Sequence, residues 1–432
     1  MKMSYIQSFC FKLFSCLFLS YSTNALASQP IVGFESSEHI SAGENIQLSF
    51  SEKEAPKTNF IFTLPNGATI SNGEILTLGD FYEIVGKSIA DGVTDADRKE
   101  RFINDFKSFA VNKDVVPELT QILAVINNEK QAIETGMKNG EKPEDIYKKM
   151  SSENNRQWNC ITGGDCSKNY WIKPGRYVLL AAQDYSHFSD RAWQVYLAGH
   201  TAAMEQAIQA HQTNDIKKLE IAYAMNAFAC HYLADIFATG HLRTPRYELF
   251  KHVTPGVVGS ILSSYMHIED NENPLHVHNA RGDHWVAWGD RYYLNKQNSE
   301  NRKLLQMVLQ KSADHIFTAY QTGIAPKEDD VAELVPQADE IGSNTYQDIA
   351  SLFYWDENKK TLFRRTDISK VHDYHWTANW WGWSTLIILS QRSGIPTEAQ
   401  GLLVNSEMKD QAVLDGLITD VNVMQYIKSL KK

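Results

Sequence analysis

The residues best suited to do chemistry lie between His231 and His241. This stretch consists of helix-forming residues, so His231 and Asp235, four positions apart, project from one helical face. Gly240 ends the helix, and the turning chain can bring His241 back towards that face. An imidazole and a carboxylate at this spacing suit zinc, which takes nitrogen and oxygen ligands. The alternative is a core histidine beside a surface aspartate, but the third member and the apolar neighbours favour a metal site.

The same stretch resembles the H-Y-L-G-D-x-x-x-x-x-H core of bacterial zinc-dependent phospholipases C, a superfamily that includes fungal zinc nucleases acting on single strands. The resemblance implies a helical domain that holds three clustered zinc ions. It implies that His231 and Asp235 serve one zinc pair, with Asp235 bridging, and that His241 serves the remaining ion. The implied reaction is hydrolysis of phosphatidylcholine and related glycerophospholipids to diacylglycerol and a phosphorylated headgroup.

Two further elements are similar to ligand-bearing elements of that family. The segment 185–188 ends in a histidine followed by phenylalanine, which makes His187 a ligand candidate. Downstream, the family pattern is H-x-x-x-E, but this chain has Asn271 four positions after His267. We therefore expect Asp270 as the ligand, because it is three positions after His267 and on the same helical face. Glu269 is the alternative.

The N-terminal part offers an early histidine and an early carboxylate. His39 is similar to the early histidine ligand of the family, and Asp80 to its early carboxylate, with Asp184 as the rival. Asp80 or Asp184 is also our candidate to orient the attacking water, beside Asp235. Well-known members of the family add an N-terminal tryptophan, whereas the first tryptophan of this chain is Trp158. The third ion therefore stays open, and we expect two to three Zn²⁺ ions.

Candidate substrate-binding residues follow the core stretch. Arg243 and Arg246 suit a phosphate, because a guanidinium matches its geometry; a structural ion pair is the alternative. Asp283 and the segment 288–290 resemble a further element of the bacterial branch, which lines the substrate cleft or forms a structural loop. The tryptophan-rich segment 376–383 indicates core packing, or capture of a quaternary ammonium by cation–π contacts.

The elements that must position these residues are mainly helical. Apolar residues at helical spacing begin at Thr94 and predict helices at 115–137, 190–212, 217–237, 302–322 and 408–430. Residues 60–70 predict a hairpin with an Asn-Gly turn. We find no alternation of strands and helices and no glycine-rich phosphate loop. The fold class is therefore all-α in the main, with a small β-hairpin near the N-terminus.

Residues 1–27 have the basic start, short apolar core and small-residue end of a secretory signal peptide, with cleavage after Ala27. We expect residues 28–330 to form the helical catalytic domain, with an insertion at about 111–175. Residues 331–432 are expected to form a helical, aromatic-rich C-terminal region. The signal peptide predicts an exported protein, in the periplasm, the medium or a host compartment.

Three cysteines remain after signal cleavage. Cys160 and Cys166 close a turn-rich loop and are expected to form a disulfide in an oxidising compartment. Cys230 is expected to be a buried, small apolar side chain. No later segment has the roughly 18 apolar residues of a spanning helix, so we expect no transmembrane anchor after signal cleavage.

The charge balance bears on the partners. The chain has 52 acidic and 42 basic residues, for a net charge of −10, which disfavours non-specific binding of nucleic acid. We therefore expect a phospholipid substrate at a membrane surface and no nucleic-acid partner. The alternatives are a zinc-dependent single-strand nuclease and an exported binding protein that zinc merely braces.

Overall fold

The computed structural model describes residues 35–167, 173–338 and 347–394. These residues are mainly helical with small antiparallel sheets, which confirms the predicted mainly helical class. The helices are α1 Ser36–Gly43, α2 Asn72–Leu76, α3 Asp95–Ala110, α4 Val116–Lys138, α5 Pro143–Ile161, α6 Arg176–Gln183, α7 Ser189–Thr213, α8 Ile216–Asp235, α9 Thr239–Leu242, α10 Arg246–His252, α11 Gly256–Glu272, α12 Ser299–Thr322, α13 Asp329–Ala332 and α14 Gly382–Ser393. The strands are β1 Ile61–Thr63, β2 Thr69–Ser71, β3 Leu275–His278, β4 His284–Ala287, β5 Gln337–Ala338, β6 Phe353–Asp356, β7 Thr361–Arg365 and β8 Trp376–Thr377.

The centre of the fold is helix α8, which packs along α7 and against α12. Its residues from Ala222 to Asp235 are all buried, and many are alanines, which favour helix and let neighbouring helices approach closely. Gly199 on α7 marks the closest approach, because a Cβ there would lie 2.4 Å from Phe102 and 2.7 Å from Ala229. The last turn of α8 therefore brings His231 and Asp235 into the interior.

The helices predicted at 115–137, 190–212, 217–237 and 302–322 are confirmed as α4, α7, α8 and α12, with ends shifted by a few residues. Helix α5 was not predicted, since the segment from 141 to 166 is polar. It begins with Pro143 in its first turn, where proline is tolerated, and it buries Tyr147 and Trp158. The predicted helix at 408–430 and the signal peptide lie outside the described residues.

The predicted N-terminal hairpin is confirmed. Strands β1 and β2 pair antiparallel with Phe62 opposite Ile70. Gly67 in the turn has a φ of 91°, which favours glycine. The Cys160–Cys166 disulfide is also present, and Cys230 is buried as expected.

The C-terminal region was expected to be helical, but its described part also contains strands. Strands β6, β7 and β8 form one antiparallel sheet, followed by helix α14. Aromatic residues fit a half-buried pleated surface better than a helix, which explains the difference. Strand β5 pairs with β3, so a boundary at residue 330 would divide a sheet. None of the helices in the described ranges combines the length and the apolar character that a membrane span requires.

Candidate metal centre

The centre begins at the last turn of α8, where His231 and Asp235 lie side by side and are fully buried. Their Nε2 and Oδ2 atoms are 3.4 Å apart. His231 Nδ1 donates to the carbonyl oxygen of Leu76 at 2.9 Å, which leaves the lone pair on Nε2, facing inward. A Cβ at Gly79 would lie 2.1 Å from the His231 ring, so only glycine allows this approach.

Three more ligand candidates surround this pair. His39 Nε2 lies 3.3 Å from Asp235 Oδ1, and His187 Nδ1 lies 2.8 Å from Asp235 Oδ2. Asp80 Oδ1 lies 3.6 Å from His231 Nε2. The donor atoms of His39, His231 and Asp235 lie within 4.8 Å of one another, and so do those of Asp80, His187 and His231. We call these five residues the Asp235 cluster.

A second cluster combines His241, His267 and Asp290, and we call it the Asp290 cluster. The two Nε2 atoms are 3.1 Å apart, and Asp290 Oδ2 lies 3.2 Å from His267 Nε2. His241 Nδ1 donates to the carbonyl oxygen of His187 at 2.9 Å. A backbone carbonyl thus orients this ring as well, an arrangement typical of metal-ligating histidines.

Asp290 stands where we expected Asp270, and that assignment is corrected. Both carboxylate oxygens of Asp270 accept from Arg243, at 2.7 and 2.9 Å, which holds this side chain away from the two rings. The alternative, Glu269, is also engaged, in a bidentate ion pair with Arg365. A signal for Asp290 was present, because it ends the segment 288–290, for which the sequence left a substrate cleft and a structural loop as alternatives.

Asn271 keeps Asp290 in place. Its Nδ2 donates to Asp290 Oδ2, and its Oδ1 accepts from the backbone N–H of Gly240 at 2.8 Å. A Cβ at Gly289 would lie 2.1 Å from Asn271 Oδ1. The residue four positions after His267 therefore supports a carboxylate that another segment supplies.

The loop that carries Asp290 is fastened to helix α1. Arg291 has a φ of 75°, in the left-handed region that is unusual for a side chain with a Cβ. Glu38 accepts from the backbone N–H of Arg291 at 3.0 Å and of Tyr293 at 2.9 Å, and Glu35 pairs with the Arg291 side chain at 2.5 Å. Because Glu38 precedes His39, this contact, which we call the Glu38 clasp, joins the two clusters.

Most of the imidazoles are neutral. Burial lowers the pKa of His241 to about 4 and of His267 to about 3, and it holds the pKa of His231 well below its usual value. His187 differs: burial acts to lower its pKa, but the hydrogen bond to Asp235 and the negative charges of Asp235, Asp184 and Asp80 together raise the pKa to about 9. Neutral rings offer the lone pair that a metal ion requires.

Two carboxyl groups of the clusters have a raised pKa, as expected for buried acids with too little positive charge nearby. Burial raises the pKa of Asp80 to about 7 and that of Asp290 to about 6. Asp235 is different: burial acts to raise its pKa, but the surrounding histidines, His231 first, hold it well below the usual value. Asp290 Oδ1 is buried and has no hydrogen-bond partner among the described residues. A cation between these oxygens and rings would satisfy all of them.

Asp184 lies on the outer side of His187. Its Oδ2 is 3.9 Å from His187 Nε2, while its Oδ1 accepts from Ser88 and Ser186. Glu83, which sequence reasoning missed, lies 3.9 Å from the same Nε2. Asp80 thus shares a possible metal-holding group with His187 and His231, whereas Asp184 and Glu83 form a further such group with His187.

A small cavity of about 30 Å³ lies beside both clusters. Its polar lining consists of Tyr177, Asp80, Asp184, His187, His241, Arg246 and His267. Two of the three expected substrate-binding residues do not line it. Arg243 is bound to Asp270, and Asp283 lies in the turn between β3 and β4, paired with Arg281. A second cavity lies on the other face of His267, next to Asp290 and Arg291.

The arrangement could hold metal ions beside a small cavity. Comparisons with protein-family models, with curated proteins and with solved structures found no match for this chain. The functional argument therefore rests on the donor set, its geometry and the cavity beside it.

Proposed function

We propose that this chain is a zinc-dependent phosphodiesterase, and that its reaction is the phospholipase C cleavage of phosphatidylcholine and related glycerophospholipids. One observation carries the proposal: two clusters of buried imidazoles and carboxylates meet at the wall of one cavity. The proposed ligands are His39, Asp80, His187, His231, Asp235, His241, His267 and Asp290.

The donor set supports zinc. Five imidazoles and three carboxylates provide the nitrogen and oxygen ligands that zinc takes, whereas magnesium and calcium prefer oxygen alone. Because the eight proposed ligands are divided between the Asp235 cluster and the Asp290 cluster, they could hold two to three ions. Zinc ions at this place would polarise a phosphate ester and supply a hydroxide at neutral pH.

The residues of the chain have separable roles in this proposal. The carbonyl oxygens of Leu76 and His187 orient the rings of His231 and His241 towards the ions. Asp80, which lines the cavity and belongs to the Asp235 cluster, orients the attacking water. Asp184 lines the cavity behind His187 and is the second candidate for that role.

Other properties support a lipid rather than a nucleic-acid substrate. The net charge of −10 disfavours a polyanion, and the core stretch resembles the bacterial phospholipases C. The cavity beside the ligands favours catalysis over a bracing role, because structural zinc sites are closed. Export is part of the proposal, since the Cys160–Cys166 disulfide suits an oxidising compartment.

The test combines metal analysis with product release. Purified protein is incubated with phosphatidylcholine vesicles as prepared, after chelation, and after zinc is restored, and phosphocholine is measured. We expect release that chelation abolishes and zinc restores. A parallel tube with single-stranded DNA would show cleavage instead if the nuclease alternative held. Zinc-loaded protein that releases no phosphocholine would overturn the proposal.

A further inference from the structure

Arg246 is a buried cation with an unused donor. Its side chain is 2% exposed and lies with its guanidinium carbon 4.8 Å from the centre of the Phe188 ring. Nη2 donates to the carbonyl oxygen of Ala181 at 2.5 Å. Nη1 is buried and has no hydrogen-bond partner in the part of the chain that the structure describes.

Other buried or half-buried arginines near the centre behave differently. Arg243 is paired with Asp270, Arg291 with Glu35, and Arg365 with Glu269. Within the described ranges, no carboxylate oxygen lies within ion-pair distance of Arg246. The Asp184 carboxylate acts on Arg246 only at longer range. A buried guanidinium that makes no ion pair is costly, so its retention calls for a ligand that supplies a negative charge in contact.

The position of Arg246 identifies the class of that ligand. Arg246 lines the same cavity as His187, His241 and His267. An anion in this cavity would therefore lie next to both the guanidinium and the proposed metal ligands. Burial lowers the pKa of Arg246 to about 10, which still leaves it positively charged at neutral pH. A guanidinium donor suits the oxygens of a phosphate or of a carboxylate. The phosphodiester reaction proposed for this site selects the phosphate.

We propose that Arg246 binds a non-bridging oxygen of a phosphate group in this cavity, through Nη1. This inference rests on the proposed function and adds the residue that recognises the phosphate independently of the zinc ligands. The phosphate group can belong to a lipid diester or to free inorganic phosphate, and both present the same oxygens to the guanidinium.

The test uses Arg246→Gln and Arg246→Lys in the zinc-loaded protein. Inorganic phosphate binding is measured by calorimetry, and KM and kcat are measured with phosphatidylcholine vesicles. We expect Arg246→Gln to weaken phosphate binding at least ten-fold and to raise KM with zinc content unchanged, and Arg246→Lys to weaken binding less. The matched control is Lys251→Gln, which removes the same charge from an exposed position of helix α10 and should change neither value.

The outcomes separate the two proposals. Arg246→Gln protein that binds phosphate within two-fold of the wild type, at equal zinc content, would overturn the role of Arg246. Wild-type protein that binds no zinc would overturn the proposed function instead, and phosphate binding can still be compared in that zinc-free protein. If the Gln variant does not fold, the phosphate affinity of Arg246→Lys decides, because this variant keeps the charge and loses the planar donor. An affinity equal to that of the wild type would then overturn the role of Arg246. Lipid turnover that changes without any change in phosphate binding would likewise refute a direct contact.

Discussion

Asn271 Nδ2 donates a hydrogen bond to Oδ2 of Asp290, a residue 19 positions further along the chain. Helix α11, which carries His267, supplies the amide of Asn271 in its last turn, and the carboxylate comes from the loop after strand β4. The amide orients the carboxylate, and the carboxylate lies next to the two imidazoles of its cluster. The proposed ligand Asp290 and the residue that orients it, Asn271, therefore lie on different segments of the chain.

The first prediction distinguishes Asp290 from Asp270. We expect Asp290→Asn to lower the bound metal by about one ion per chain, because it removes the carboxylate of the Asp290 cluster. Asp270→Asn should keep the metal but lower the free energy of unfolding by about 3 kcal/mol, since Arg243 would lose its partner. Metal content by mass spectrometry and urea denaturation measure the two effects. Loss of metal in Asp270→Asn alone would restore the assignment made from the sequence.

The second prediction concerns the Asp235 cluster. His231→Ala and Asp235→Asn should each lose metal and lower phosphocholine release by at least about 100-fold, because each residue belongs to the proposed ligand set. The control is His375→Ala, whose ring is 85% exposed and which should keep both metal and activity. Full metal and full turnover in the two cluster variants would contradict our ligand assignment.

The third prediction tests the packing behind His231. Gly79→Ala places a methyl group where the His231 ring now lies, so we expect the ring to shift and metal affinity to fall at least about ten-fold. Overpacking should also cost about 1–3 kcal/mol of stability. Competition with a fluorescent chelator measures the affinity. An unchanged affinity would mean that the ring is free to move without loss of the metal.

The fourth prediction concerns pH. Burial raises the pKa of Glu129 from 4.5 to about 8, and the side chain accepts from Asn154 at 2.7 Å. The folded state therefore keeps a proton that the unfolded chain releases above pH 4.5, so this residue makes stability fall as the pH rises from about 4.5 to about 8. Glu129→Gln stays neutral and should be more stable than wild type at pH 8, by roughly 4 kcal/mol, and within about 1 kcal/mol of it at pH 5.

Urea denaturation in the presence of a chelator checks this difference without interference from bound metal. The control is Glu134→Gln, an exposed acid on the same helix, whose difference from wild type should be small at both pH values. A constant difference between Glu129→Gln and wild type from pH 5 to pH 8 would show that Glu129 does not keep its proton.

The local part of the site was predictable from the sequence. His231 and Asp235 are one helical turn apart, and this spacing alone places both on one face of α8. Gly240 was expected to end this helix, but α8 ends at Asp235 and Gly240 lies within the short helix α9. His241 nevertheless lies close by, in the neighbouring cluster. The hairpin around Gly67 was equally local, because an Asn-Gly pair specifies its turn.

The remaining parts depend on tertiary contacts that spacing does not encode. Asp270 satisfies the helical rule relative to His267, but Arg243 from another segment takes its carboxylate. Asp290 reaches the rings only because Asn271 and the Glu38 clasp hold its loop. Glu83 was missed because no histidine lies at a helical or strand spacing from it, although its neighbours Phe81, Tyr82 and Ile84 are apolar or aromatic.

The Glu38 clasp bears on whether the two clusters would bind metal ions independently of each other. Glu38 holds the backbone of the loop after Asp290, and its neighbour His39 belongs to the Asp235 cluster. An ion that draws His39 inward would tighten the loop, and an ion held by Asp290 would tighten helix α1. Occupancy of one cluster should then raise the affinity of the other, so that partly loaded protein is scarce and the titration curve is steeper than for independent sites.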